Sequence, residues 1–270
     1  MQYDELVGLA REVAIETAEL VRTRRRAGVE VAATKSSPVD IVTEVDKAAE
    51  RLIYDRLMAA RPGDGFLGEE GGSAESTSGV TWIVDPIDGT VNFLYGIPQY
   101  SVSIAASVED RVVAGVVVNV DTAEVFAATL GGGATCNGRP LQVRGVVPMS
   151  QRLVVTGFNY VAAVRARQAA AVAAMLTEVR DIRRLGSAAL DLCSIGAGRA
   201  DGYVEEGLNQ WDLAAGGLVA TEAGARVEVR PGAGGTDCVL CAPADGFEEF
   251  AELVAGCGFL APRETVAPRS

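Results

Sequence analysis

The pattern of apolar residues changes near residue 148, and this change restricts the possible folds more than any other feature. Between residues 80 and 130, short β-type segments follow one another, with turn signals such as "EDR" and "CNGRP" beside them. They predict an antiparallel meander, preceded by amphipathic helices over 4–26 and 45–60. Beyond residue 148, β-type and helical segments alternate. We therefore expect an α+β or α/β fold, with two sheets and helices layered around them.

The length of 270 residues suits one large domain or two fused lobes. We predict an N-terminal lobe over residues 1–147, a C-terminal α/β lobe over 148–262 and a loose tail over 263–270. No stretch of about 18 apolar residues is present, and the N-terminus lacks the basic start of a signal peptide. A cytoplasmic protein without membrane attachment is expected.

Charge and histidine content exclude several classes of function. The chain has 24 Lys+Arg against 36 Asp+Glu, a formal charge of −12 that disfavours nucleic-acid partners. It has no histidine, which excludes Ser-His-Asp triads and metal sites built on imidazole. Acid–base or metal chemistry is left to carboxylates, hydroxyls, backbone groups and two lysines, Lys35 and Lys47. Such oxygen ligands suit Mg²⁺ or Mn²⁺.

Five cysteines are scattered along the chain, and two of them, Cys238 and Cys241, form a CxxC pattern in the β-type segment "DCVLCAP". A zinc site would need a second pair or histidines. We therefore expect buried core thiols.

The segment "TWIVDPIDGT" places two carboxylates at the end of an apolar run. We expect the strand to end at Asp85, with Pro86 helping to stop it, and Asp88 to follow three residues later. A purely structural alternative is that Asp85 caps a turn and that Asp88-Gly89 is a turn dipeptide. These two residues alone leave open whether their role is structural or functional.

Other carboxylates also lie at the ends of apolar segments. Glu69 and Glu70 occupy the loop "LGEEGG", which could simply be a solvated acidic loop. Asp212 opens an alanine-rich helix, where the helix dipole alone favours an acid. Asp46 fits a capping box with Thr43. Each position has a structural explanation of its own.

Together these carboxylates indicate a site, because strand ends and helix starts are where α/β sites gather. If they converge, only protons or divalent metal relieve their repulsion. Gly89 would let the backbone approach a phosphate, and the Thr90 hydroxyl could orient a metal-bound water. A two-metal site of this kind favours phosphoryl transfer.

The segments "GEE", "WIVDPIDGTVNF", "SVSIA", "GSAALDLC" and "WDLAAGGLVATEAG" together resemble the inositol monophosphatase family. The resemblance extends from the first helix to about residue 245, nearly the whole chain. It implies a layered α-β-α-β-α sandwich, a homodimer, and lithium-sensitive, Mg²⁺-dependent hydrolysis of inositol monophosphate or a similar polyol phosphate.

The resemblance also implies a metal site for two to three Mg²⁺ ions, with Mn²⁺ as a possible substitute. Glu69, Asp85 and the Ile87 carbonyl would ligate the first ion. Asp85, Asp88 and Asp212 would ligate the second, and Glu69 would also reach a weakly bound third ion. The N-terminal lobe would thus supply most ligands and the C-terminal lobe Asp212.

Catalytic and substrate roles follow from the same resemblance. Thr90 and Asp46, with Glu69, would orient the attacking water. A loop lysine, Lys35, would approach the site. Substrate contacts are implied for six residues: Asp88, Gly89, Thr90, Ala188, Glu205 and Asp212.

Two departures from the family pattern, the loop "GGSAESTSG" and a "GLNQWD" segment without histidine, leave the substrate open. Histidinol phosphate, fructose 1,6-bisphosphate and a nucleotide 3′-phosphate are alternatives. A haloacid-dehalogenase-type phosphatase is disfavoured, because its motif has DxD spacing where this chain has Asp-x-x-Asp. A non-catalytic regulatory protein that retains the fold is the alternative from another class.

Overall fold

The computed structural model describes residues 3–28, 31–34 and 41–262. The helices of this part are α1 (Asp4–Ala27), α2 (Glu44–Ala60), α3 (Thr90–Tyr95), α4 (Ala162–Met175), α5 (Ala188–Gly196), α6 (Gln210–Glu222) and α7 (Phe247–Cys257). Across these described residues, no helix combines the length and apolar character needed to span a membrane. The predicted tail over 263–270 lies outside the described residues.

The described strands form three sheets. The smallest pairs β1 (Val31–Thr34) with β2 (Ile41–Thr43). The eight-stranded sheet contains β3 (Gly65–Gly68), β4 (Ser73–Ala74), β5 (Val80–Asp88), β6 (Ser101–Val108), β7 (Arg111–Asn119), β8 (Val125–Thr129), β9 (Gly133–Cys136) and β10 (Arg139–Pro140). The five-stranded sheet contains β11 (Leu153–Thr156), β12 (Asp181–Arg183), β13 (Gly202–Glu206), β14 (Ala225–Pro231) and β15 (Asp237–Pro243).

The predicted meander is present, since β5 to β10 pair antiparallel in chain order. Its first hairpin turns at Glu109 and Asp110, with φ of 50° and 60°, and its last at Asn137-Gly138. These are the two turns that the sequence indicates. On the other side of β5, β3 pairs parallel to it and extends the sheet beyond the predicted meander. The five-stranded sheet has the order β12-β11-β13-β15-β14.

Four groups of buried residues show that helices and sheets are stacked in five layers. Helices α1 and α2 pack on one face of the eight-stranded sheet, against Trp82, Val84 and Ile104. The opposite face, which includes Ile83 and Ala105, packs on α5 and α6. Helices α5 and α6 also cover the five-stranded sheet, and α4 and α7 pack on its far face. The alternation of neighbouring residues between faces is that of a strand. The α-β-α-β-α sandwich is thereby confirmed, whereas the lobe boundary at 147/148 stays a prediction.

The expectation that β5 ends at Asp85 is wrong. The strand continues through Pro86 and Ile87 to Asp88, and its pairing with β6 shifts register between Asp85 and Asp88. Asp85 pairs with Ser103 and Asp88 pairs with Ser101, so three steps along β5 correspond to two steps along β6. Proline is tolerated in a strand at such a bulge, where a ladder hydrogen bond is already missing.

The two cysteines of the CxxC pattern are core residues, as expected. Cys238 packs among the residues between the five-stranded sheet and α7, and Cys241 packs on the opposite face of that sheet. Both are fully buried, and burial raises the pKa of the Cys238 thiol to about 12. Two thiols on opposite faces of a strand cannot share one metal ion.

Candidate metal centre

One cavity of about 350 Å³ lies where the ends of both sheets meet the helices between them. Its walls include six carboxylates: Glu69, Asp85, Asp88, Glu205, Glu206 and Asp212. Arg184 is the only cationic side chain among the described residues that line it. A cavity with this balance of charge attracts cations.

Three of these carboxylates meet at the floor of the cavity. Asp85, Asp88 and Asp212 each offer an oxygen, and these atoms lie within 4.8 Å of one another. Asp85 and Asp88 are 2% and 7% exposed, and both come from the bulged end of β5. Asp212 comes from the first turn of α6. The structure therefore brings together three of the carboxylates that the sequence analysis singled out.

The cluster is electrostatically unfavourable without a cation. Burial raises the pKa of Asp85 well above its usual range, and Glu69 and Asp88 raise it further. Burial and the neighbouring Asp88 likewise raise the pKa of Asp212. No lysine or arginine in the part of the chain that the structure describes forms an ion pair with these aspartates. An all-oxygen donor set of this charge fits a divalent hard cation such as Mg²⁺.

Glu69 reaches this cluster from the loop that follows β3. Its backbone N–H donates to the Val84 carbonyl at 3.1 Å, which fixes the loop to β5. Its side chain lies within hydrogen-bonding reach of Asp85 and raises the pKa of that carboxyl. The loop "LGEEGG" is therefore part of the site rather than a solvated acidic loop.

Thr90 and Asp46 form a second group beside the aspartates. The Thr90 hydroxyl lies 3.2 Å from Asp46 Oδ1 and 3.1 Å from the Ile87 carbonyl oxygen, so it can donate to either. Asp46 Oδ2 meanwhile accepts from the Thr43 N–H at 2.8 Å and closes the predicted capping box. Burial raises the pKa of Asp46 to about 6. Asp46 therefore both caps α2 and contacts the site.

Asp88 also anchors the start of α5. Its Oδ2 accepts from the Ser187 hydroxyl at 2.6 Å and the Ala189 N–H at 2.8 Å, and its Oδ1 accepts from the Ala188 N–H at 3.2 Å. Ser187 is the N-cap of α5, as its sequence position predicts. Burial raises the pKa of Asp88, and these hydrogen bonds oppose the rise. Ala188 thus reaches the cavity wall with its N–H already engaged.

Gly89 is required by the packing of the chain around it. Its φ is +95°, in the left-handed region, and an added Cβ would lie 2.9 Å from the Gly186 carbonyl oxygen and 3.0 Å from that of Gln99. The sequence assigns this glycine to ligand approach; the structure adds a reason within the fold.

Glu205 lies across the cavity, near the end of β13. Its Oε2 accepts from the Tyr203 hydroxyl at 2.8 Å. Burial raises the pKa of Glu205 to about 7, against the opposing effects of Tyr203 and Arg184. A carboxyl here can accept hydrogen bonds from a polar ligand.

Several lining residues escaped the sequence analysis. Arg184, Glu206 and the segment Phe158–Tyr160 contribute to the cavity wall. The sequence could have indicated Arg184, because the pair "RR" lies just before Gly186 and the N-cap of α5, where Asp88 also binds. Glu206 and Phe158–Tyr160 had no such signal, since only the packing of β13 beside β11 brings them together. The predicted Lys35 contact lies outside the described residues.

The layered fold and the imidazole-free carboxylate cluster define a protein suited to a divalent cation. The profile of the inositol monophosphatase family matches residues 2–250. The chain is 48% identical over 269 residues to inositol-1-monophosphatase SuhB of Mycobacterium tuberculosis, covering 93% of this chain and 92% of the relative. The chain belongs to the inositol monophosphatase family, a family of metal-dependent phosphatases. This membership excludes the haloacid-dehalogenase alternative.

A solved structure supports the same placement. The extragenic suppressor protein suhB of Bartonella henselae superposes with a TM-score of 0.86 at 32% identity, covering 93% of this chain and 98% of that one. Some relatives have a different name: a Nus factor SuhB from Pasteurella multocida is 38% identical over 219 residues, covering 77% of this chain and 82% of the relative. Family membership therefore leaves the substrate open.

Proposed function

We propose that this protein is a Mg²⁺-dependent phosphomonoesterase that hydrolyses inositol monophosphate, such as myo-inositol 1-phosphate, to inositol and phosphate. The convergence of Asp85, Asp88 and Asp212 within 4.8 Å, at the floor of a cavity of substrate size, carries this proposal. The names of its more similar relatives favour inositol 1-phosphate as the first substrate to test.

In this proposal Glu69, Asp85 and the Ile87 carbonyl hold one Mg²⁺, and Asp85, Asp88 and Asp212 hold a second. When bound, the ions lower the pKa of water and neutralise the phosphoryl oxygens. Glu69 also contributes to a third, weaker site. Mn²⁺ is expected to substitute, because it accepts the same oxygen ligands.

The remaining residues orient the reactants. The Thr90 hydroxyl, held by Asp46 at 3.2 Å, accepts a hydrogen bond from the attacking water and aims it in line with the leaving oxygen. The N–H groups of Gly89 and Thr90 hold the phosphate. Glu205, with Asp88, Asp212 and the Ala188 region, contacts the substrate hydroxyls.

A phosphate-release assay with purified protein tests the proposal. We expect release from inositol 1-phosphate that requires Mg²⁺ and is inhibited by Li⁺ or by excess Mg²⁺. Histidinol phosphate, fructose 1,6-bisphosphate and a nucleotide 3′-phosphate, assayed side by side, decide between substrates for the same chemistry. No release from any of them would favour the regulatory alternative. A homodimer in solution and a cytoplasmic location are further parts of the proposal; light scattering after size exclusion tests the first.

A further inference from the structure

We propose that Glu50, a residue of α2 outside the metal centre, positions Glu69 for metal binding. The inference rests on the proposed function of Glu69 as a ligand. Glu50 is 6% exposed, and its carboxylate accepts two backbone N–H groups of the Glu69 loop. Oε2 accepts from Glu70 at 2.7 Å, and Oε1 accepts from Gly72 at 2.9 Å.

These two bonds complete the fixation of the loop around Glu69. The Gly68 N–H donates to the Gly72 carbonyl at 2.8 Å, and the Glu69 N–H donates to Val84 at 3.1 Å. The N–H on either side of the Glu69 α-carbon is therefore bonded, one to β5 and the other to Glu50. Because the side chain leaves from that α-carbon, these bonds fix the point from which its carboxylate reaches Asp85.

The glycines of "GEEGG" leave room for the Glu50 carboxylate. A Cβ at Gly68 would overlap it, and a Cβ at Gly72 would lie 2.8 Å from its Oε1. The two oxygens of the Glu50 carboxyl group each accept one backbone N–H, so this side chain is well suited to hold the loop.

The same helix carries Asp46 one turn earlier, on the same face as Glu50. Asp46 holds Thr90, and Glu50 holds the loop of Glu69. Helix α2 thus positions Thr90 on one side of the proposed metal centre and the loop of Glu69 on the other, although it supplies no metal ligand itself.

Glu222 offers a matched control. Its carboxylate clamps another glycine loop in the same manner, accepting from Gly131 at 2.8 Å and from Gly133 at 2.9 Å. It lies ten residues after Asp212 on α6, about 15 Å along the helix axis. Removing either carboxylate leaves two loop N–H groups without their acceptor, but only Glu50 adjoins a proposed ligand.

The test compares Glu50→Ala, Glu50→Gln and Glu222→Ala with the unmodified protein by calorimetric titration with Mn²⁺ in the absence of substrate. We expect Glu50→Ala to weaken Mn²⁺ binding about tenfold to a hundredfold, the range for residues that support a ligand. Glu222→Ala should bind as the unmodified protein does. Hydrogen exchange should accelerate at Glu70 and Gly72 in the Glu50 variants and at Gly131 and Gly133 in the control.

Glu50→Gln keeps the side-chain length but turns an N–H₂ group toward one backbone N–H. The Mn²⁺ affinity of this variant should therefore lie between those of Glu50→Ala and Glu222→Ala. If Glu50→Ala fails to fold, Glu50→Gln tests whether Glu50 supports Mn²⁺ binding. Equal Mn²⁺ affinity in the unmodified protein, the folded Glu50 variants and Glu222→Ala would overturn the inference. If the unmodified protein itself bound no Mn²⁺, or if Asp85→Asn bound it equally well, the proposed metal centre would fail instead.

Discussion

The carboxylates of the cavity floor are arranged in a way that suits cation binding better than it suits stability. Asp85, Asp88 and Asp212 are close together and short of positive partners, and the pKa of each is raised. A residue of this kind should oppose folding when no metal is present, because its negative charge lies beside two others.

Replacing Asp212 by Asn separates ligand chemistry from structure. The amide oxygen can still accept the Asn209 N–H, now 2.7 Å from Asp212 Oδ2, so α6 keeps its start. Loss of one ligand charge should lower Mg²⁺-dependent phosphate release by about a thousandfold, equivalent to several kcal/mol of charge stabilisation. In the presence of a chelator, the same change should raise the free energy of unfolding, because it removes one negative charge from the buried cluster. Retained activity would contradict the assignment of Asp212.

We expect Glu205 to make the stability of the metal-free protein depend on pH. Its pKa rises from 4.5 when unfolded to about 7 in the fold, so between these values the folded state binds more protons. The free energy of unfolding should therefore fall as pH rises from about 4.5 to 7. Glu205→Gln should remove a part of this fall, at most about 3 kcal/mol. Denaturant unfolding at pH 5 and 7.5, in the presence of a chelator, measures this difference in the free energy of unfolding. The same difference in Glu205→Gln as in the unmodified protein would contradict the raised pKa of Glu205.

The link from β5 to α3 shows how an element is constrained by its neighbours. The bulge turns Asp85 and Asp88 toward one cation site, and Gly89 then begins α3 with a left-handed backbone. The carbonyls of Gln99 and Gly186 pack against this turn from two other segments. The geometry of the metal centre therefore depends on loops that are distant in sequence.

Gly89→Ala should destabilise the protein more than a positive φ alone explains. A left-handed alanine costs about 1 kcal/mol, and contacts of 2.9 Å and 3.0 Å with two backbone oxygens add strain that cannot be relieved by a rotamer change. We expect a loss of about 3 kcal/mol or more. Gly138→Ala is the control, since its φ is +77° and no atom lies within 4 Å of the added Cβ. Thermal unfolding compares them, and equal losses would show that packing around Gly89 is unimportant.

The gathering of Asp85, Asp88 and Asp212 could be predicted from sequence, because each residue ends or begins an apolar element and such ends lie at one edge of a fold. The bulge at Pro86 could not be predicted from sequence, because it depends on how β5 pairs with β6. Glu50 was also missed, because a side chain that binds backbone N–H groups needs no particular residue opposite it. Asp46 was ambiguous for a different reason: its two oxygens serve the helix cap and Thr90 separately.

At the scale of the whole molecule, the candidate metal centre lies where layers of the fold meet. Asp85 and Asp88 belong to the eight-stranded sheet, and Asp212 belongs to α6, which packs between the two sheets. A cation bound by all three carboxylates would link these elements and cancel their repulsion. Metal binding should therefore stabilise the complete fold rather than one loop.

Mg²⁺ should consequently raise the midpoint of thermal unfolding. At a concentration of 100 times Kd, a single site adds about 2.7 kcal/mol, which corresponds to about 5–10 °C for a protein of this size. Because the chain carries a charge of −12, screening by salt must be separated from specific binding. The control is NaCl at matched ionic strength, with Asp85→Asn as the variant that lacks a shared ligand. A shift that persisted in Asp85→Asn, or that NaCl reproduced, would mean that Mg²⁺ acts on the acidic surface and not at the metal centre.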